Sequence, residues 1–256
     1  MSSSADRASA GFDGRSAGEL ATLLGVPRVA TYASVTSTLD VAHVLAPTAL
    51  PGTLVLADEQ TAGRGTHGRR WASSAGAGVW LALIARHRDA ASLDVLSLRC
   101  GLYAAEALDA LTGATVGLKW PNDLYVASRK LAGVLIEARW RGDVAEWVAI
   151  GFGLNVTAPA LATATGLPPG RTRIEALSVL VPALRRAADA RGPLSDEECS
   201  RWSTRDIARG RPVEHPSAGI VEGISPMGEL LVRGSTGSIV RHRTGSLTFA
   251  EPLACS

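Results

Sequence analysis

The stretch Lys119–Val156, KWPNDLYVASRKLAGVLIEARWRGDVAEWVAIGFGLNV, decides the fold. Leu131–Trp140 and Val144–Ile150 are apolar runs of strand length, and Gly142-Asp143 between them is a turn pair, which predicts an antiparallel hairpin. Val116–Trp120 adds a strand just upstream. Before it, Leu93, Leu96, Cys100, Tyr103, Ala107 and Leu111 recur at helical spacing over Ser92–Leu111, and Gly113 ends the run. Farther upstream lie three strand-like runs, Arg28–Val35, Thr53–Ala57 and Val79–Ala85, and a helix over Thr38–Leu45 closed by Pro47. Downstream, helices are predicted over Arg173–Ala190 and Asp196–Arg209. Ser195 and Glu198 form a capping box for the second, and Pro182 is expected to kink or interrupt the first. From Gly210 short β-rich runs (Gly219–Ile224, Leu230–Arg233, Ser238–His242, Ser246–Phe249) alternate with Gly, Pro and Ser turns. The expected architecture is α+β. A mostly antiparallel sheet with helices spans 28–209, a small SH3-like β-barrel spans 210–256, and a flexible Ser/Ala/Gly-rich tail covers 1–27.

Composition narrows the function. Charged residues are 20% of the chain and the net charge is +2, so no global field favours nucleic acid. No apolar run reaches membrane-spanning length, and the first twenty residues hold no signal-peptide core. Cys100, Cys199 and Cys255 lack metal-ligand spacing, which fits a reduced cytoplasmic protein. His43, His87, His215 and His242 show neither metal nor triad spacing, which favours surface or core packing. Of 26 basic residues only Lys119 and Lys130 are lysines, and they share one short stretch with Asn122. A compact ammonium is not interchangeable with a guanidinium fork, so a lysine retained among arginines marks a candidate site.

Gly63-Arg64-Gly65-Thr66-His67-Gly68 matches G-x-G-x-x-G, but a dinucleotide site needs a helix directly after the last glycine. Here Ser73, Ser74, Gly76 and Gly78 follow, then a strand. A P-loop fails as well, since Arg69-Arg70 stands where Lys-Ser/Thr belongs. What remains is a glycine loop carrying Arg64, Arg69 and Arg70 and ending in Trp71, suited to phosphate oxygens and a flat ring. A solvated basic loop is the competing reading.

Four segments together resemble the biotin–protein ligase family: Gly63–Trp71 (GRGTHGRRW), Lys119–Asp123 (KWPND), Lys130–Glu137 (KLAGVLIE) and Gly151–Val156 (GFGLNV). The resemblance implies two steps: biotin and ATP give biotinyl-AMP and pyrophosphate, then a lysine of a biotin carboxyl carrier domain displaces AMP. It assigns Ser37, Thr38, Gln60, Gly63, Arg64, Gly65 and Lys130 to biotin, and Arg64, Arg69, Trp71, Lys119, Asn122 and Asn155 to ATP and the adenylate. Lys130, Lys119, Arg64 and Asp123 are the implied catalytic residues. Asp123 either helps place Mg2+, held mainly through phosphates, or accepts a proton from the attacking amine. Ser37 equally suits a helix cap, the Pro-Asn-Asp run a turn, and Gly151, Gly153 and Asn155 a strand end.

The chain departs from the family at Thr66, where the loop usually carries another arginine, and at Leu39, where an amide or hydroxyl side chain is common. Thr66 implies a less tightly held intermediate, and Leu39 one hydrogen bond fewer to the biotin head group. Some members carry an N-terminal helix-turn-helix domain. Only some 27 residues precede the first strand here, so no DNA binding is expected. Carrier domains of acyl-CoA or pyruvate carboxylases are the implied partners, with the chain a monomer or weak homodimer. A lipoate ligase or octanoyltransferase would share the fold but usually lacks the KWPND and KLAG pair. An RNA-binding module would need a basic face with exposed aromatics, yet Phe, Trp and Tyr total twelve and the net charge is only +2.

Overall fold

The computed structural model describes residues 6–86, 89–251 and 253; His87 and Cys255 lie outside them. In chain order the elements begin with β1 (Arg7–Ala8), β2 (Gly11–Phe12), β3 (Arg15–Ser16), α1 (Ala17–Leu24), β4 (Val29–Ser34) and α2 (Thr38–Leu45). Next come β5 (Leu54–Ala57), β6 (Gly78–Ala85), α3 (Ala90–Thr112), β7 (Gly117–Lys119), β8 (Asp123–Val126), β9 (Arg129–Arg141) and β10 (Val144–Asn155). They end with α4 (Arg173–Asp189), α5 (Asp196–Arg205), β11 (Pro212–His215), β12 (Gly219–Ile224), β13 (Leu230–Arg233), β14 (Ile239–His242) and β15 (Thr248–Phe249).

One eight-stranded sheet, ordered β1-β4-β5-β6-β10-β9-β8-β7, carries the larger part of the chain, and only its β4–β5 pair is parallel. The two longest strands, β9 and β10, form the predicted hairpin around Gly142, which takes a left-handed conformation with φ 56°. Strand pleat explains the two cores. Leu54, Leu56, Leu81 and Leu83 face α1, α3 and α4, whereas Val55, Ala57, Ala82 and Ile84 face α2. Both faces of β5 and β6 are covered, so these runs read as continuous apolar sequence. No described helix is long and apolar enough to cross a membrane.

Three expectations need correction. Residues 6–27 are not a loose tail: β1 pairs with β4, β2 with β3, and α1 buries Leu20 and Leu24. A capping box of Ser16 and Glu19 starts that helix and Gly25 closes it, a signal that the Ser/Ala/Gly composition hid. Of the two outcomes expected at Pro182, interruption is not seen: α4 is continuous through it, with Leu180, Val181, Ala183 and Leu184 around it buried in the core. The C-terminal region forms a five-stranded antiparallel sheet, β14-β13-β12-β11-β15, whose end strands β14 and β15 do not pair among the described residues. The barrel is therefore not closed by hydrogen bonds. Strands β8 and β11, which were not expected, are short, and β11 opens on Pro212.

Helices α3 and α5 are locked by a buried pair. Arg99, 1% exposed, donates to both oxygens of Glu198 at 2.7 and 3.0 Å and to the carbonyls of Gly192 and Pro193. That saturation is what makes a buried guanidinium tolerable.

Asp206, just past α5, lacks it. Its Oδ1 accepts from the Ala208 N–H at 2.9 Å, but its Oδ2 is buried without a partner among the described residues, and burial pushes the carboxyl up to about 6. A folded-state value above the unfolded one gives stability that is fullest at low pH and is lost as pH rises through about 6. Asp206→Asn is expected to stabilise the protein by about 2 kcal/mol above neutral pH and by little near pH 4. Melting temperatures at the two pH values check this, and equal shifts at both would exclude the charge as the cause.

Candidate active site

Two cavities open on the face of the sheet where the loop Gly63–Trp71 crosses β9 and β10, and they share Arg70, Trp71 and Lys130. The first, about 130 Å³, is lined by Ser37, Thr38, Gln60, Arg64 and Gly65, with Arg69, Asn122 and Asp123 farther round. The second, about 690 Å³, lies between Trp71, Tyr125, Asn155 and the segment 157–164. All of the sequence-predicted residues except Lys119 and Gly63 line one cavity or the other.

The first cavity is built on local chain chemistry. Ser37 caps α2, its hydroxyl accepting from the Leu39 N–H at 3.3 Å, so the capping role is present at the cavity wall. Gln60 is fixed from both ends: its Oε1 accepts from the Thr38 N–H at 2.9 Å and its Nε2 donates to Ser73 Oγ at 2.8 Å. Leu39 is buried against Gly151, where a Cβ would meet its side chain at 3.1 Å. That packing makes it part of the apolar core under α2.

The loop returns on itself through Gly65 N–H to Arg69 O at 2.7 Å and Trp71 N–H to Gly63 O at 2.8 Å, around a tight turn in which His67 and Gly68 are both left-handed. Gly63 serves the turn rather than the cavity, since a Cβ there would lie 2.6 Å from Trp71 O. No helix follows Gly68, in keeping with the rejected dinucleotide fingerprint. Each loop arginine has a protein partner: Arg64 binds Asp40 and Glu137, Arg69 donates to Ser246 Oγ at 2.9 Å, and Arg70 donates to Thr61 O at 3.0 Å. Ser246 comes from the C-terminal sheet region, a contribution sequence reading missed.

Trp71 divides the cavities. Its indole lies over Gly153 of β10 and Gly133 of β9, which are paired directly across the strands. Lys130 Nζ stands 5.0 Å from the ring centroid. The indole Nε1 is buried with no acceptor among the described residues. A Cβ on Gly153 would lie 2.7 Å from that ring. Gly153→Ala is therefore expected to cost about 1–3 kcal/mol by overpacking in urea denaturation. Gly18→Ala on α1, where a Cβ meets nothing within 4 Å, should be neutral or stabilising.

The lysines differ in partner. Lys130 Nζ is 2.5 Å from Asp123 Oδ1. Lys119, at the end of β7, has no carboxylate in ion-pair range among the described residues; it sits 5.6 Å over the Phe249 ring and 5.9 Å over Tyr125. Burial lowers its proton affinity; Asp123 opposes this, and the nearby Lys130 and Arg69 add to it. A desolvated cation among cations favours an anion beside it. Asn122 and Asn155 donate to the carbonyls of Val134 at 2.7 Å and Thr165 at 3.1 Å, so both amides are oriented by backbone. No group of three or more His, Cys, Asp or Glu gathers to hold a metal among the described residues.

Residues 29–155 match the Biotin/lipoate A/B protein ligase family. The biotin–[acetyl-CoA-carboxylase] ligase of Paracoccus denitrificans is 32% identical over 217 residues, which cover 75% of this chain and 89% of that protein. The chain belongs to the biotin protein ligase family. This agrees with the resemblance carried by the four motifs. The bifunctional ligase/repressor BirA of Bacillus spizizenii is 39% identical over 124 residues, which are 48% of this chain but only 38% of that protein. Among solved structures, a biotin protein ligase from Leishmania major in complex with biotinyl-5-AMP superposes with a TM-score of 0.57 at 26% identity, covering 84% of this chain and 98% of that one. The family's mixed fold, with its large and mostly antiparallel sheet, is the one described above.

Proposed function

We propose that this protein joins biotin to AMP at the expense of ATP and passes the biotinyl group to a lysine of a biotin carboxyl carrier domain. The observation that carries this reading is the meeting of two cavities at Lys130 and Trp71. An acid in the first and a nucleotide in the second would bring carboxylate and α-phosphorus together beside Lys130. The Paracoccus relative is named for this activity, and the Leishmania protein's complex contains the corresponding adenylate.

In the first step a carboxylate oxygen of biotin bonds to the α-phosphorus and pyrophosphate leaves. In the second an amine bonds to the acyl carbon, loses a proton and expels AMP. Lys130 lies where negative charge grows in both steps, and Asp123 holds it there and accepts the amine's proton. Lys119 meets the phosphates from a site where water screens it little. Magnesium accompanies ATP through phosphate oxygens and water, the usual arrangement where a protein offers no carboxylate cage. The partner is the carrier domain of a cytoplasmic acyl-CoA or pyruvate carboxylase, and the enzyme works as a monomer or weak homodimer.

Exchange of labelled pyrophosphate into ATP tests the reading. It should require biotin and not respond to lipoate; no exchange with biotin would overturn it.

A further inference from the structure

Arg64 is gripped from two elements at once. Its Nη1 donates to Asp40 Oδ1 of α2 at 2.7 Å, and its Nε and Nη2 donate to Glu137 of β9 at 3.2–3.3 Å. Glu137 is itself held from behind. Its Oε2 lies 2.9 Å from His43 Nε2, and Trp147 of β10 donates its indole N–H to His43 Nδ1 at 3.0 Å. An acceptor at Nδ1 leaves the ring proton on Nε2, aimed at Glu137. The chain Trp147–His43–Glu137 therefore donates in one direction onto the carboxylate, which accepts from Arg64 on its other side, the loop residue between Gly63 and Gly65. Backbone bonds at Gly65 and Trp71 fold the loop on itself, and the side-chain grip on Arg64 ties that folded loop to α2 and β9. The same backbone edge lines the first cavity beside Gln60.

We propose that Glu137, braced by His43 and Trp147, is a positioning residue that sets the affinity of the first cavity for the acid substrate by fixing Arg64. The acid is biotin, and to that extent the inference rests on the function proposed above. Glu137 touches neither Lys130 nor Asp123, so its effect reaches the substrate through Arg64.

Pyrophosphate exchange at varied biotin and ATP, with wild type, Glu137→Gln and Trp147→Phe, tests it. Losing the carboxylate charge should raise KM for biotin about tenfold, and losing the indole donor about threefold, each a larger change than in kcat or in KM for ATP. Glu146→Gln, which breaks an ion pair with exposed Arg141 on the same hairpin, should change nothing. Trypsin cleavage at the loop arginines of the ligand-free proteins should quicken in the same order. An unchanged KM for biotin in Glu137→Gln, or a fall in kcat alone, overturns the proposal. If the wild type shows no exchange at all, the ligase reading fails, and an unaltered order of trypsin cleavage would separately defeat the positioning role.

Discussion

Lys130→Ala is expected to lower biotin-dependent pyrophosphate exchange by about a thousandfold, the scale seen when one preorganised donor to a developing oxyanion is removed. The ammonium is held by Asp123 at 2.5 Å and stands over Trp71 where the two cavities join. Its position is already set before any ligand arrives, so none of its interaction is spent on ordering a flexible chain. Fold should survive, because the side chain is only partly buried and the ammonium has one ion-pair partner. A single-turnover assay with preformed biotinyl-AMP separates the steps. Transfer to a carrier lysine should fall alongside adenylation. Full retention of both activities would remove Lys130 from the chemistry.

Lys119→Met should make the ligand-free protein more stable while weakening nucleotide binding by about a hundredfold. The reasoning runs through protonation. Burial lowers the proton affinity of Lys119 in the folded chain, so the unfolded chain binds that proton more tightly. Holding the charge therefore costs stability at neutral pH, and the cost is relieved as pH rises past the lowered folded-state value. A methionine fills similar space between Phe249 and Tyr125 without the charge. Phosphate oxygens would reverse the balance in the wild type, supplying the counter-charge that the protein withholds. Melting temperature with and without ATP checks both halves: the variant should melt higher alone and gain little from nucleotide. A lower melting point for the ligand-free variant would show that the cation–π contacts outweigh desolvation.

How much of this was legible in the sequence depends on distance along the chain. Helix Thr38–Leu45 and strands Gly219–Ile224 and Leu230–Arg233 were read with the ends they have in the structure, because apolar periodicity and turn residues act over a few positions. The candidate site was legible as four motifs, since those segments carry both lysines and both asparagines of the chain. What stayed hidden was built from partners far apart. Arg64 meets Asp40 and Glu137, 24 and 73 positions away, and Arg69 meets Ser246 across 177. No local pattern encodes such pairs; only the sheet order, which stacks β9 and β10 beside the loop, brings them together. The ordered segment before β4 escaped for the opposite reason. Its strands are two residues long, too short for alternation to register.

Helix α4 is tied at its first residue to the segment before β4. Arg173 at its start lies 4.1 Å from the centroid of the Phe12 ring, donates to Asp13 of the β2–β3 turn, and reaches Asp58 at the end of β5. Asp58 stands two residues before Gln60 in the first cavity wall. Expression designs trimmed to β4 would strip Phe12 and Asp13 and leave Arg173 pulling on Asp58 alone. Fusion tags placed ahead of Asp6 would spare that tether, whereas cuts inside it would be felt at the ligand.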